Sequence, residues 1–415
     1  MINERKHKIK IYEILFALCN ICVCIYSGNE SFILTWYAYT LFLVVGCLVI
    51  CLRKQKLFIN SEILMFFGFI IYSFISIMWA KYNSNQYHGI RFLMLMFFFT
   101  CISYWVFIVS YDSKKALINT FIISGSILSI YTPFKYGFSE YLNDMINGYR
   151  MGANIMGENS MGTFTAIATI LAFGMYLFYR KKIYLLYIII NAFGCLSTGS
   201  RMSFLSLILG IVLIMLFYTL FTGNNLINSY TKFLLITVIS IIVIYMILKY
   251  VPLFRVIYDR VDGLFQVILG NQIRTEGVGE NGIRNILVRI GVNEFCSHPL
   301  FGIGYNNSRD AANILVNTPF ILHNNYVEVL CNGGICGFII YYSFYFSLIY
   351  KHIKKVKTKD PIVAISLTLI FVNLFQQFAG VMYVEKYFYY YMVLWIIVAN
   401  SKDFVKKESI GGKFK

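Results

Sequence analysis

Two arginines and one histidine, far apart in the chain, carry most of the chemistry that this sequence can offer. Arg201 sits in Thr198-Gly199-Ser200-Arg201-Met202-Ser203, a short turn between two long apolar runs. A guanidinium there has two possible uses. It can bind a lipid phosphate at a membrane surface, or it can hold an anionic group of a substrate, helped by the N-terminus of the helix that follows. Arg284 and Arg289 share one amphipathic stretch. Five residues turn a helix by about 500°, so the two side chains leave on different faces. Arg284, which opens the helix, is the stronger candidate for an anion, and the alternative for both is a solvated or lipid-facing charge. His323-Asn324-Asn325-Tyr326 precedes another apolar run, and a neutral imidazole at a surface suits a general base acting on a hydroxyl. His298, before Pro299, reads as a turn residue, and the two histidines lack the carboxylate or cysteine array that a zinc site needs. Cys19-x-x-Cys22-x-Cys24 has a metal or redox spacing, but it lies inside an apolar run, where a thiol packs as a small hydrophobe.

The elements that must position these residues are set by composition. The chain has 415 residues, 59% apolar, 18% aromatic and only 13% charged. A soluble domain carries about 25% charged residues, so this is an integral membrane protein by composition. A spanning helix needs about 20 mostly apolar residues. Twelve such runs are predicted, at about 11–27, 33–52, 63–80, 90–110, 116–133, 161–179, 183–198, 203–222, 231–251, 329–350, 362–380 and 387–400, with ten to twelve the defensible count. The first, seventh and twelfth are short, and the first, preceded by basic residues, reads as an uncleaved span. The expected fold class is therefore all-α: one polytopic membrane domain over 1–415.

Lysine and arginine give the orientation. With the N-terminus inside, 23 of the 36 basic residues fall on inner segments and every second loop is basic, which predicts an N-in, C-in topology. The same pattern disposes of nucleic acid as a partner despite a pI of 9.3, because the charge sits in short loops facing anionic lipid rather than on a folded basic face. Ionisable residues within the runs (Glu13, Glu62, Arg91, Lys232, Lys249) lie near their ends, which weakens a transporter reading. Two outer segments exceed ordinary connectors, 134–160 and about 252–328. The longer begins with an interfacial helix (Phe254, Ile257, Val261, Leu264, Phe265 and Ile268 at helical spacing), continues through a Gly/Asn-rich break at 270–282, and forms a second helix over about 283–296.

Taken in order, several short motifs resemble the O-antigen ligase/O-antigen polymerase superfamily over about residues 150–345. They are Arg150-Met151-Gly152 with Glu158-Asn159-Ser160; Gly199-Ser200-Arg201; Arg284 placed 15 residues before Pro299; His298-Pro299-Leu300-Phe301-Gly302-Ile303-Gly304; and His323-Asn324-Asn325-Tyr326 with Gly334 and Gly337. The resemblance implies a metal-independent membrane glycosyltransferase without cofactors, using a glycan linked to undecaprenyl diphosphate. It implies His323 as the catalytic residue acting on the acceptor hydroxyl, and Arg201 and Arg284 as ligands of the diphosphate. Arg150, Arg289, Asn324 and Tyr326 are the further residues expected to touch substrate. The implied place is the bacterial cytoplasmic membrane, site outward, among membrane lipids and with chain-length regulator and flippase proteins as partners. The first functional expectation is a polymerase of lipid-linked repeat units for O-antigen or capsule. A ligase moving finished glycan to lipid A or another acceptor is the alternative, and a lipid-linked oligosaccharide flippase is the rival from another class. One departure is that Asn285-Ile286-Leu287-Val288 lacks the aromatic residue usual after the loop arginine, which leaves the packing of that helix open.

Overall fold

The computed structural model describes residues 10–26, 32–54, 57–82, 86–108, 111–222, 231, 245–246, 248–268 and 280–401. Most of the expected span at 231–251, the glycine-rich part of the long loop at 269–279, and both basic termini lie outside the described residues. Among the described residues there are helices and no strand.

The first nine helices are α1 (Ile11–Tyr26), α2 (Phe32–Leu52), α3 (Ser61–Ile75, extended by a 3-10 turn over Ser76–Trp79), α4 (Gln86–Phe107), α5 (Tyr111–Tyr136), α6 (Phe138–Ile146), α7 (Glu158–Tyr179), α8 (Ile183–Ser197) and α9 (Arg201–Thr222). The long loop contributes α10 (Arg255–Ile268), α11 (Glu280–Ser297) and α12 (Ser308–Val316). The last described helices are α13 (Asn325–Val356), α14 (Pro361–Gln376) and α15 (Lys386–Asn400). Seven of them, α2, α3 with its 3-10 turn, α4, α5, α7, α9 and α13, are long and apolar enough to cross a membrane; α1, α8 and α14 are shorter apolar helices. The two helices expected in the long loop are present, and α12 is an addition that its nine residues had not announced. The 134–160 segment is less of a loop than its polarity suggests, because α5 runs on to Tyr136 and α6 follows at once.

The axis of the bundle is the short α15. Every residue from Lys386 to Ala399 is buried, as expected of a helix that is apolar all round. Its rings are met from several sides: Tyr390 by Phe16 of α1 and Phe99 of α4, Tyr391 by Phe121 of α5, Tyr387 by Phe164 of α7, and Trp395 by Tyr345 of α13. The surrounding helices turn their other faces outward with exposed apolar side chains such as Leu41, Val44 and Leu48 on α2 and Leu64, Ile71 and Phe74 on α3. In water that surface would be a liability; against lipid it is the matching one. Cys19 and Cys24 are buried core residues, the Cys19 thiol resting on the Ala38 carbonyl.

Among the described residues, the buried charged side chains lie near helix ends. Glu62, near the end of its run as the sequence places it, is fully buried. Lys351 of α13 meets it at 2.8 Å, and Ser347 and Asn400 donate to the same carboxylate, so partners from α13 and α15 replace the water.

Candidate active site

The opposite end of α13 and α15 holds the residues singled out above. There α13 is broken: Gly334 has φ 60 and ψ −164, a conformation essentially reserved for glycine. The break frees backbone groups that must find partners. The His298–Gly304 turn supplies them. Ile335 N–H donates to the Pro299 carbonyl at 2.8 Å and Cys336 N–H to Leu300 at 3.1 Å, while Ile303 and Gly304 donate to the carbonyls of Cys331 and Asn332. The Tyr72 hydroxyl completes the joint by donating to the Gly333 carbonyl at 2.7 Å. His298 belongs to this turn, exposed and next to Glu294, away from the site.

The loop before α13 is clamped on both sides of His323. Leu322 N–H donates to Glu328 Oε2 at 2.8 Å. Asn325 N–H donates to the Gln377 carbonyl at 2.8 Å, its side chain donates to Gln377 Oε1, and its Oδ1 accepts Met382 N–H at 3.0 Å. Between these anchors His323 takes φ 53, an uncommon left-handed conformation for a residue with a Cβ. The anchors therefore hold the imidazole to one place relative to the 377–385 connection.

A comparable clamp holds Arg201. The α8–α9 turn closes through Gly199 at φ 59, and the Ser200 hydroxyl accepts Ser203 N–H at the start of α9. The Arg150 guanidinium donates to the Thr198 carbonyl at 3.0 Å and to Asn159 Oδ1 at 2.7 Å, and Met151 N–H donates to the Ser197 carbonyl. Close packing sets the register: a Cβ on Gly162 would come 2.5 Å from Thr198 Oγ1. Arg284 rides on α11, whose Leu287 and Ile290 bury against Ile303, Ala311, Leu322 and Cys331. Aliphatic packing thus seats this helix, whose packing the sequence left open.

These segments enclose a cavity of about 200 Å³. Arg201, Arg284 and His323 all line it, together with Arg260 of α10. The other side chains include Glu158, Asn159, Ser160, Gln376, Glu385 and Tyr387. The convergence of three residues separated by up to 122 positions is a property of the fold, not of any single element.

The four other residues expected at substrate do not line the cavity. Arg150 braces the Arg201 turn as described. Asn324 caps α13, its Oδ1 accepting Val327 N–H at 3.1 Å. Tyr326 points to α14, donating to the Leu374 carbonyl at 2.8 Å and stacking on Tyr342. Arg289 is exposed on another face of α11 from Arg284.

The sequence motifs did not single out Glu385, Gln376 or Arg260. Glu385 lies just before α15, outside the membrane-spanning helices, and its Oε1 accepts the Ser160 hydroxyl at 3.3 Å. Burial pushes its carboxyl up to about 7, partly offset by that hydrogen bond and by the neighbouring Lys386 charge. A carboxylate next to a lysine, Glu385-Lys386, in an otherwise apolar region was the available signal.

Three guanidiniums face two carboxylates, Glu158 and Glu385, so the cavity has an excess of fixed positive charge with a titratable carboxyl inside it. No cluster of three His, Cys, Asp or Glu side chains suited to a metal occurs among the described residues. The arrangement can bind a polyanion through charge-assisted hydrogen bonds and offers an imidazole to remove a proton nearby.

Residues 186–342 match the family model described as O-antigen ligase. The matched stretch contains Arg201, Arg260, Arg284 and His323, but neither Gln376 nor Glu385. No curated protein matches the chain.

Proposed function

We propose that this chain, a member of the O-antigen ligase/polymerase superfamily through residues 186–342, is an inverting glycosyltransferase of the bacterial cytoplasmic membrane that uses a polyprenyl-diphosphate-linked glycan as donor. Members of the family are membrane enzymes of glycosyltransferase type acting on lipid-linked glycans. The observation that carries the reading is the convergence of Arg201, Arg260, Arg284 and His323 on one cavity at one end of the bundle.

The chemistry follows from the donor. As the bond between the sugar carbon and the diphosphate oxygen breaks, its electron pair moves onto the diphosphate while the sugar becomes cation-like. Fixed guanidiniums stabilise that growing charge without reorganising. His323 takes the proton of the acceptor hydroxyl at a ring nitrogen as the oxygen bonds to the anomeric carbon from the opposite face, so configuration inverts. In the N-in, C-in topology, with twelve spans, this end of the bundle faces outward.

Polymerisation of repeat units is the first reading. Ligation of finished glycan to lipid A or another acceptor is a full second reading, favoured by the description of the matched family model. Supplying purified protein with a lipid-linked repeat unit separates them: a ladder of products means polymerase, and a single transfer to a different acceptor means ligase. Arg201→Ala, Arg284→Ala and His323→Ala should each abolish transfer at normal protein levels. Wild-type product in all three would refute the assignment and favour transport of the lipid-linked glycan.

A further inference from the structure

Gln376, the last residue of α14, is 1% exposed and lines the cavity, yet neither its amide nitrogen nor its amide oxygen has a hydrogen-bond partner among the described residues. The next residue shows what a satisfied amide looks like here. Gln377 donates to Tyr345 Oη at 2.8 Å and to Asn373 Oδ1 at 3.2 Å, and its oxygen accepts from Asn325 and Tyr342. A buried amide left unsatisfied is destabilising, so its partner should be sought in what fills the cavity.

The chemistry of the neighbours narrows that partner. The amide offers two donors and an acceptor, and the Glu385 carboxyl offers mainly acceptor sites. A diphosphate near neutral pH only accepts hydrogen bonds, so it cannot satisfy the Gln376 oxygen, and an ionised Glu385 repels it. Both side chains line the cavity, and a group that met both would be uncharged and would both donate and accept. A sugar ring with adjacent hydroxyls meets that description; the guanidiniums do not select for it.

We propose that Gln376 and Glu385 form a sugar subsite within the cavity, holding hydroxyls of the glycan while the guanidiniums hold its diphosphate. This rests on the glycosyltransferase reading and adds to it where the sugar is recognised. The subsite lies beyond residue 342, in the part of the chain that the family match does not reach.

The test uses the full chain in detergent or nanodiscs, with two probes: undecaprenyl diphosphate without sugar, and the lipid-linked oligosaccharide extracted from host cells lacking this gene. Gln376→Leu and Gln376→Met keep the volume and the helix. Because Gln376 makes no side-chain hydrogen bond among the described residues, the thermal midpoint of both variants should equal or exceed that of the wild type. Both should bind undecaprenyl diphosphate as the wild type does and the oligosaccharide at least about tenfold more weakly. Unchanged oligosaccharide binding, an equal loss for both probes, or a lowered midpoint in both variants would overturn the subsite. Failure of the underlying reading looks different: Arg201→Ala would then bind undecaprenyl diphosphate as well as the wild type does, while the Gln376 variants would still report on the sugar.

Discussion

Leu322 and Glu328 are joined by a main-chain to side-chain hydrogen bond of 2.8 Å that spans the residue proposed to take the acceptor proton. The buried Glu328 carboxylate also accepts the Ser308 hydroxyl at 2.5 Å and the Asn332 amide at 3.2 Å, so it ties the His323 loop to α12 and to the turn of α13 before its break. Glu328→Gln keeps the shape but replaces one acceptor oxygen with a donor. At least one of these partners then faces a like group. The expected loss is about 1–3 kcal/mol of stability, with slower transfer by the protein that remains folded. Thermal unfolding and turnover of Glu328→Gln equal to wild type would show that the loop does not depend on this anchor.

The break in α13 gives a sharp contrast between adjacent glycines. A Cβ at Gly334 would collide with the Leu300 carbonyl, which is backbone, and would force a side chain into a glycine-only conformation. At Gly333 the nearest atom to a Cβ is the Tyr72 ring at 3.4 Å. Gly334→Ala should therefore cost at least about 2 kcal/mol and lower the amount of folded protein in the membrane, and Gly333→Ala should be close to neutral. Comparing midpoints of the two in the same detergent checks the point, and equal effects would contradict the strain argument.

Much of this architecture is legible from residue types, and the exceptions share a cause. Apolar length marks α2, α3, α9 and α13, and helical spacing marks α10 and α11, because both signals are local. Glu62 lies near a helix end, yet its burial depends on Lys351 and Asn400 closing over it from distant parts of the chain. The same holds at the site. Asn324 and Tyr326 flank the His323 motif, but the start of a helix turns neighbouring side chains in different directions, toward a cap and toward α14. Gln376 and Glu385 reach the cavity although the Glu385-Lys386 pair is the one local mark in 376–387, and it does not distinguish a site from a connector. The ordered motifs suggested Arg201, Arg284 and His323 as a group; the fold adds Arg260.

Arg260 supplies a test of how many cations the cavity uses. It lines the same space as Arg201 and Arg284, whereas Arg289 is exposed and lines none of it. A charge-assisted hydrogen bond contributes about 1.5–3 kcal/mol, so Arg260→Gln should raise the KM for the lipid-linked donor by about tenfold or more. Arg289→Gln should leave KM within about twofold, as expected of a solvated charge. Steady-state kinetics with one donor preparation reads both. Equal KM values for the two variants would remove Arg260 from the site.

Glu385 sets the pH behaviour. Its ordinary carboxyl value of 4.5 rises to about 7 in the folded protein because burial disfavours the ion. Between those values the folded chain holds more protons than the unfolded one, so stability from this group falls as pH rises from about 4.5 to about 7 and levels off above. Glu385→Gln carries no such ionisation. The thermal midpoint of the variant relative to wild type should therefore climb between pH 5 and pH 8. Donor binding should follow the same group: the wild-type cavity loses positive excess as Glu385 ionises, so the lipid-linked glycan, a diphosphate diester that does not itself titrate in this range, should bind more tightly at pH 6 than at pH 8. In Glu385→Gln that difference should shrink. Parallel pH profiles of wild type and variant, in both midpoint and affinity, would mean that Glu385 stays ionised in the fold and that its carboxylate is solvated rather than enclosed.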